Sequence, residues 1–348
     1  MKIPKLIPIA VALFVGGAAH SNDLETAIQK GFDAGKLPGL HSVIVRQRGE
    51  TLAEVYFKGK DQRWGWPTGV REHGPETLHD LRSVSKSMTS LLYGIALADD
   101  LVPAPDTSLF AAFADYADLS NPEREAITLE NVLSMQMGIE WDENRPYTDP
   151  RNSEIAMERA PDRVRFVLDR PIVGKPGQGW TYNGGATALL GELIARGTGM
   201  ALDDYAKQKL FTPLGITDFD WVKGSDGKPA AASGLRLRAP DLAKIGDLIA
   251  NDGVYKGRHI VPAKWLEASF EPRAKTKSLR YGYQWWLAPQ GSPPIWVAGL
   301  GNGGQRVSIN PSLGLVVVVF AGNYNQPDAW KVPVSVITDY VIPELGLR

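Results

Sequence analysis

Apolar residues recur every three or four positions in several stretches of the chain, which is the pattern of helices with one buried face. The stretches include residues 24–32, residues 188–194, and the set Met88, Leu91, Leu92 and Ile95. Between residue 83 and about residue 214 such patterns dominate, interrupted by loops that contain proline. The middle of the chain is therefore expected to be largely helical.

Strand patterns lie near both ends of the chain. From His41 the pattern predicts two strands joined by a turn at Arg48-Gly49-Glu50. Residues 315–320 are uniformly apolar, which is typical of a central strand covered on both faces, and a helix expected over residues 332–342 would provide part of that cover. The simplest architecture is an α/β domain of residues 22–100 and 232–348, with residues 101–231 inserted as a helical domain.

The first residues form a segment of a different kind. Lys2 and Lys5 precede an apolar stretch over residues 6–15, and small residues follow it. This order is typical of a secretory signal peptide, predicted here over residues 1–21, with cleavage after Ala19 or Ser21. A transmembrane anchor would need about 20 apolar residues. We therefore expect a periplasmic or secreted protein without a membrane anchor after cleavage.

The composition narrows the class of substrate. Of the 348 residues, 43% are hydrophobic and 22% are charged, as in ordinary globular enzymes. The 38 basic and 39 acidic residues leave a net charge of -1, which provides no general attraction for nucleic acid or anionic membranes. The absence of cysteine excludes disulfides and a thiolate nucleophile. A small molecule or a short peptide is the expected partner.

Ser83 and Lys86 are separated by one helical turn at the beginning of an apolar helical repeat. That spacing brings a hydroxyl and an amine to one face of a helix, where the helix N-terminus favours an oxyanion. Lys86 could act as a base near neutral pH only if its pKa fell by about three units through burial and neighbouring groups. The alternative is that Ser83 only caps the helix and Lys86 points to water. A second Ser-x-x-Lys match, Ser225 and Lys228, lies in a turn-rich stretch that would hold neither residue in place.

The stretch SVSKS with its apolar helix resembles the nucleophile motif of the serine β-lactamase and penicillin-binding-protein superfamily. The resemblance is to the branch with class C β-lactamases, related esterases, D-aminopeptidases and nylon-oligomer hydrolases, and it extends in order and spacing over most of the mature chain. It implies an α+β fold, in which an antiparallel sheet is covered by helices on both faces and a helical domain is inserted.

Two further motifs of that superfamily are present with departures. Tyr182 matches the tyrosine of Tyr-x-Asn, but Gly184 stands at the asparagine position and Asn183 lies one place early. The third motif, Lys or His followed by Thr or Ser and Gly, is matched by residues 299–301, Gly-Leu-Gly, so the cation is missing. The resemblance makes the backbone N–H of Asn302 the second oxyanion donor beside that of Ser83.

The implied reaction is acyl transfer, in which Lys86 and Tyr182 accept the Ser83 proton and water later releases the acyl group. Small esters or amides are the expected substrates, with Asn183, Gly301, Gln305 and Trp286 as candidate binding residues. Because the motif cation and asparagine are missing, β-lactamase or D-amino-acid peptidase activity is a secondary alternative. A noncatalytic protein that binds peptides or cell-wall fragments is a third.

Other catalytic schemes fit less well. No Gly-x-Ser-x-Gly motif is present, and the mature chain has few histidines for a Ser-His-Asp triad. No spacing such as His-Glu-x-x-His indicates a metal site, so neither a metal nor another cofactor is predicted. His79, the histidine nearest to Ser83 in sequence, is expected in the strand before the helix.

Overall fold

The computed structural model describes residues 17–289 and 296–347. Residues 1–16, which carry most of the predicted signal peptide, lie outside the described residues. The strands in chain order are β1 Leu40–Gln47, β2 Glu50–Tyr56, β3 Lys58–Arg63, β4 Trp66–Glu72, β5 His79–Asp80, β6 Asp220–Trp221, β7 Leu235–Leu237, β8 Val254–Tyr255, β9 Arg258–His259, β10 Ala274–Lys275, β11 Arg280–Tyr281, β12 Trp286–Ala288, β13 Trp296–Gly301, β14 Gln305–Asn310 and β15 Leu315–Ala321.

The helices connect these strands and fill the middle of the chain. In order they are α1 Gly17–Asp33, α2 Val84–Ala98, α3 Leu109–Ala112, α4 Pro122–Glu125, α5 Leu129–Leu133, α6 Ser153–Glu158, α7 Arg163–Leu168, α8 Gly184–Thr198, α9 Leu202–Ala206, α10 Ala239–Ala250, α11 Ala263–Phe270, α12 Lys331–Ser335 and α13 Ile342–Glu344. A π-helical segment, Val336–Val341, joins α12 to α13, so the last helix is continuous. Within the described ranges, no helix is both long and apolar enough to cross a membrane.

The main sheet has eight strands in the order β10-β11-β12-β13-β14-β15-β1-β2, and neighbouring strands are antiparallel. The predicted hairpin from His41 forms β1 and β2. The run 315–320 forms β15, which lies between β14 and β1 with every residue buried. The antiparallel sheet and the central apolar strand are thus confirmed.

Alternate residues of β15 serve two separate cores, because successive side chains of a strand point to opposite faces. Leu315, Val317 and Val319 join the core that α1 and the C-terminal helix cover. Val316, Val318 and Phe320 join the larger core with α2, α10 and the helices of the middle region. Two-sided burial therefore explains why this strand lacks the polar alternation of a half-exposed one. The boundaries of the helical domain at residues 101 and 231 stay a prediction.

Candidate active site

The helix α2 brings the predicted nucleophile and lysine together. Ser83 immediately precedes α2 with φ -68° and ψ -3°, and its side chain makes no capping hydrogen bond. The Ser83 hydroxyl is therefore not used for capping. Arg82, the residue before it, has φ 49°, a left-handed conformation that costs a non-glycine residue free energy and is typical of functional turns.

Lys86 is buried, with 1% of its surface exposed, and its side chain points at Ser83. Its Nζ donates hydrogen bonds to Ser83 Oγ at 3.1 Å, to Glu154 Oε2 at 3.2 Å and to the Ala232 carbonyl at 3.2 Å. The alternative in which Lys86 points to water is therefore wrong. The other tetrad, Ser225 and Lys228, is exposed, and Lys228 Nζ binds Glu192 instead.

Four buried polar contacts fix α2 against its surroundings. Ser87 Oγ donates to the Gln284 carbonyl at 2.8 Å, and Ser90 Oγ donates to the Tyr283 carbonyl at 2.8 Å. Thr89 Oγ1 donates to the Ala231 carbonyl at 3.1 Å. The indole N–H of Trp265 donates to the Ser90 carbonyl at 2.8 Å. The serines and threonine of α2 thus bind neighbouring segments rather than solvent.

The charge of Lys86 differs from the expectation. Burial alone would lower the pKa of its amine, but the carboxylate of Glu154, with smaller contributions from Tyr182 and Glu143, raises that pKa above its ordinary value. Glu154 is buried beside the amine, with 2% of its surface exposed, and its own pKa is lowered mainly by the Lys86 charge. The expectation of a lowered Lys86 pKa is wrong because desolvation, the largest single effect, is outweighed by Glu154 together with Tyr182 and Glu143, which come from segments distant in the sequence.

Glu143 is a second acidic residue at the site. Its Oε1 accepts hydrogen bonds from the Trp141 indole at 2.6 Å and from the Gly184 backbone N–H, and its Oε2 accepts from the Tyr147 hydroxyl at 3.0 Å. Burial and the neighbouring charge of Glu154 raise the pKa of Glu143 to about 7. Glu143 therefore changes charge in the neutral range, near the Lys86 and Tyr182 side chains.

The two carboxylates explain the departure at Gly184. A Cβ atom added to Gly184 would lie 2.5 Å from Glu154 Oε2, closer than real contacts allow, and 3.0 Å from Glu143 Oε1, tighter than most real contacts. An asparagine cannot occupy this position without displacing them. Glu154 therefore occupies the space between Gly184 and Lys86.

Tyr182 is the third predicted catalytic residue and lies beside Lys86. The Lys86 Nζ is 4.9 Å from the centre of the Tyr182 ring, and Tyr182 and Ser83 line the same cavity. Burial raises the pKa of Tyr182, whereas the Lys86 charge and the Ser83 contact oppose that rise. The ring packs against Trp286 with centroids 5.8 Å apart. The structure thus brings the three predicted catalytic side chains into one cluster.

A cavity of about 500 Å³ opens over this cluster. Its lining includes Ser83, Tyr182, Trp286, and the strand end and turn of residues 300–304. Gly301 closely approaches the segment that leads into α2, since a Cβ there would lie 2.4 Å from the Leu81 carbonyl oxygen. Asn302, the predicted second oxyanion donor, lines the cavity, and its side chain exchanges two hydrogen bonds with Asn325 at 2.7 and 2.8 Å.

Two candidate binding residues have their polar atoms engaged elsewhere. Gln305 is buried, and its amide bonds the Ala321 backbone N–H and C=O and the Asn302 carbonyl. Asn183 is also buried, and its Oδ1 caps α8 by accepting from the Ala186 N–H at 3.1 Å. Both residues support the walls of the site, and Gln305 also lines the cavity together with Trp286 and Gly301.

Comparison with known proteins identifies the family of the chain. The family model described as Beta-lactamase matches residues 24–329. The chain belongs to the Beta-lactamase family. The expected resemblance to serine β-lactamases and penicillin-binding proteins is confirmed, and the chain is a hydrolase of the serine β-lactamase fold.

Relatives within the family have low sequence identity to this chain. The 6-aminohexanoate-dimer hydrolase of Paenarthrobacter ureafaciens is 24% identical over 310 residues, which is 82% of this chain and 73% of the relative. Lovastatin esterase of Penicillium rubens is 26% identical over 242 residues, which is 63% of this chain and 56% of the relative. The crystal structure of a family VIII carboxylesterase has a TM-score of 0.68 at 17% identity and covers 92% of this chain and 97% of its own.

Proposed function

We propose that the chain is an exported serine hydrolase that cleaves small esters or amides through an acyl-enzyme on Ser83. The observation that carries the proposal is the 3.1 Å contact between Ser83 Oγ and Lys86 Nζ beneath a cavity bordered by a glycine-rich turn. One relative is named a 6-aminohexanoate-dimer hydrolase and another is named an esterase. Export rests on the signal-peptide pattern of residues 1–21.

Proton transfer in this proposal belongs to Lys86 and Tyr182 as a pair. The Glu154 carboxylate favours a protonated Lys86, and the Lys86 charge in turn makes the Tyr182 phenol easier to deprotonate. The reactive form is the pair that has lost one of its two protons. The remaining proton can lie on either residue, so the proton loss belongs to the pair and not to Lys86 or Tyr182 alone. Ser83 Oγ gives its proton to this pair as it attacks the carbonyl carbon. The pair then protonates the leaving group, and water attacks the acyl-enzyme in the second step.

In this proposal, backbone groups stabilise the negative charge of the oxyanion. The N–H groups of Ser83 and Asn302 would donate to the oxyanion, and the N-terminus of α2 adds partial positive charge there. Each such donor stabilises the transition state by roughly 3 to 4 kcal/mol. The hydrogen bonds between Asn302 and Asn325 keep the turn in place. This arrangement requires no metal and no organic cofactor.

Arg306 supplies the cation that the third motif lacks. It lines the cavity, its Nε donates to Ser308 Oγ at 2.7 Å, and burial lowers its pKa to about 10. Among the described residues, no carboxylate forms an ion pair with Arg306 within 4.0 Å. An arginine of this kind binds a carboxylate through paired hydrogen bonds. We therefore expect substrates with a carboxylate some distance from the scissile bond to be preferred.

The test compares p-nitrophenyl butyrate hydrolysis by the purified chain and by Ser83→Ala. Turnover by the wild type, its loss in the variant, and labelling of the wild type alone by a fluorophosphonate are the expected results. Equal turnover by both proteins, or inertness of the wild type to ester and fluorophosphonate alike, would refute the proposal. If the wild type is inert to both reagents, the chain is better described as a noncatalytic binding protein. Nitrocefin hydrolysis measured with the same two proteins tests β-lactamase activity, which we expect to be weak.

A further inference from the structure

A buried histidine cluster lies outside the catalytic cavity. Three of the five histidines in the sequence, His41, His73 and His79, place a ring nitrogen each within 4.8 Å of one another. His41 comes from β1 and His79 from β5, whereas His73 follows β4 directly. His41 and His79 are buried and His73 is partly buried. The intervals of 32 and 6 residues match no metal-binding sequence motif, so the cluster arises only through the fold.

The hydrogen bonds of the cluster leave one nitrogen unsatisfied in either tautomer of His41. His79 Nδ1 lies 3.1 Å from the Asp80 carbonyl and must donate to it, so Nε2 of a neutral His79 ring is an acceptor. That Nε2 faces His41 Nδ1 at 2.9 Å. If the proton is on His41 Nδ1, the buried His41 Nε2 has no hydrogen-bond donor. If the proton is on His41 Nε2, the lone pairs of His41 Nδ1 and His79 Nε2 face each other. His41 Nε2 and His73 Nε2 are both buried without a hydrogen-bond partner.

A carboxylate completes the set of donor atoms. Asp61 Oδ1 lies 3.6 Å from His79 Nε2 and accepts a hydrogen bond from the Tyr324 hydroxyl at 3.2 Å. The Asp61 side chain is buried, and its Oδ2 has no partner. Neutral imidazoles and a carboxylate are ligands that Zn²⁺ accepts.

The distances fit a small divalent cation. Zinc–nitrogen bonds of about 2.0 to 2.1 Å in a tetrahedron place neighbouring donor atoms about 3.3 Å apart. The separations of 2.9 Å between His41 and His79, and of 3.6 Å between His79 and Asp61, lie on either side of that value. The space beside His41 Nε2 is closed, because a Cβ on Gly59 would lie 2.4 Å from it. The His41 Nδ1 side therefore faces the other donors.

We propose that His41, His73, His79 and Asp61 form a structural site for a divalent transition metal, with Zn²⁺ as the expected ion. His73 stacks on His41 with ring centroids 4.0 Å apart, and it turns to bring its nitrogen to the ion. The bound ion links the main sheet, the β3–β4 hairpin and β5. Since β5 ends three residues before Ser83, the ion stabilises the chain that leads to the nucleophile.

The test measures metal binding directly, without an activity readout. The purified chain is treated with EDTA, dialysed, and titrated with Co²⁺ and then Zn²⁺ near neutral pH. We expect one ion per chain by elemental analysis, a visible Co²⁺ spectrum typical of four-coordinate nitrogen and oxygen ligation, and a Tm that rises by at least about 3 °C with excess Zn²⁺. Hydrolysis of p-nitrophenyl butyrate by the EDTA-treated chain shows separately whether the proposed catalytic function stands.

Two variants locate the site. His73→Gln is the informative one, because His73 is only partly buried and its replacement leaves the buried rings in place. His259→Gln is the matched control, since His259 is exposed on β9. The Co²⁺ spectrum and the Tm shift are expected to disappear in His73→Gln and to persist in His259→Gln. Absence of both signals in the wild type, or their persistence in His73→Gln, would overturn the proposal and leave a hydrogen-bonded histidine cluster.

Discussion

Replacing Glu154 by glutamine tests the charge that holds Lys86 protonated. The Lys86 and Glu154 side chains are 3.2 Å apart and almost fully buried, with 1% and 2% of their surfaces exposed. At this distance and an effective dielectric constant of about 20, the pair interacts by about 5 kcal/mol, which corresponds to nearly four pKa units. Glutamine keeps an oxygen that accepts the Lys86 hydrogen bond but removes the negative charge. In Glu154→Gln, we expect the pair of Lys86 and Tyr182 to lose its first proton at a pH at least about two units lower than in the wild type.

The sign of the effect follows from the charge removed. The wild-type Glu154 carboxylate raises the pKa of Lys86, so the reactive form of the Lys86 and Tyr182 pair accumulates only in alkaline solution. The wild-type kcat/KM should therefore keep rising up to about pH 10. In Glu154→Gln the rise should occur at lower pH and then level off. The plateau should be lower than the wild-type maximum, because a base of lower pKa accepts the Ser83 proton less readily.

The assay is kcat/KM for p-nitrophenyl butyrate from about pH 5 to about pH 10, with Tm recorded at each pH. Glu158→Gln is the matched control, because Glu158 lies on the same helix, is 4% exposed, and pairs with Arg163 at 2.9 Å instead of with Lys86. The control should leave the alkaline rise within about half a pH unit of the wild type. If a folded Glu154→Gln also keeps the wild-type profile, the Glu154 charge does not govern the proton of the pair, and the proposed acid–base assignment fails.

Three further substitutions separate catalysis, support and specificity. Tyr182→Phe removes the phenol from the pair and should lower kcat for p-nitrophenyl butyrate by roughly 10²- to 10⁴-fold with little change in Tm; a decrease below tenfold would exclude Tyr182 from proton transfer. Asn183→Ala removes the α8 cap and should lower the free energy of urea unfolding by about 1 to 2 kcal/mol without changing KM. A raised KM at unchanged stability would instead indicate that Asn183 binds substrate. Arg306→Met should raise KM for a p-nitrophenyl ester of a dicarboxylic acid at least about tenfold and leave that for the butyrate ester unchanged, and equal effects on both esters would refute carboxylate recognition.

The sequence predicts the parts of this site that are encoded locally. The spacing of Ser83 and Lys86, and the apolar repeat after them, correctly indicate a helix that begins at the nucleophile, because side chains one turn apart share a face. The uniform run in β15 correctly indicates a strand covered on both faces. Such features can be predicted because the burial of one or both faces of an element determines the apolar pattern of its own residues.

The acidic residues of the site could not be predicted in the same way. Glu154 lies 68 positions from Lys86, so only the fold brings the two together. One sequence signal was available, which is glycine at position 184 where the related motif has asparagine. From the sequence alone, that departure indicates the loss of a binding residue, whereas in the structure it makes room for two carboxylates. The direction of the Lys86 pKa shift cannot be predicted from the sequence for the same reason, because this pKa depends on a charge from a distant segment.

The attachment of α2 has a consequence for motion and inactivation. Its serine and threonine hydroxyls bind the backbone of segments around residues 231 and 284, and its apolar residues belong to the larger core. A local opening that released Ser83 from Lys86 would have to break these contacts at once. Amide hydrogen exchange in α2 should therefore require nearly the full free energy of unfolding. Loss of labelling by a fluorophosphonate and loss of tertiary structure should then follow the same denaturant curve, with no inactive but folded state between them.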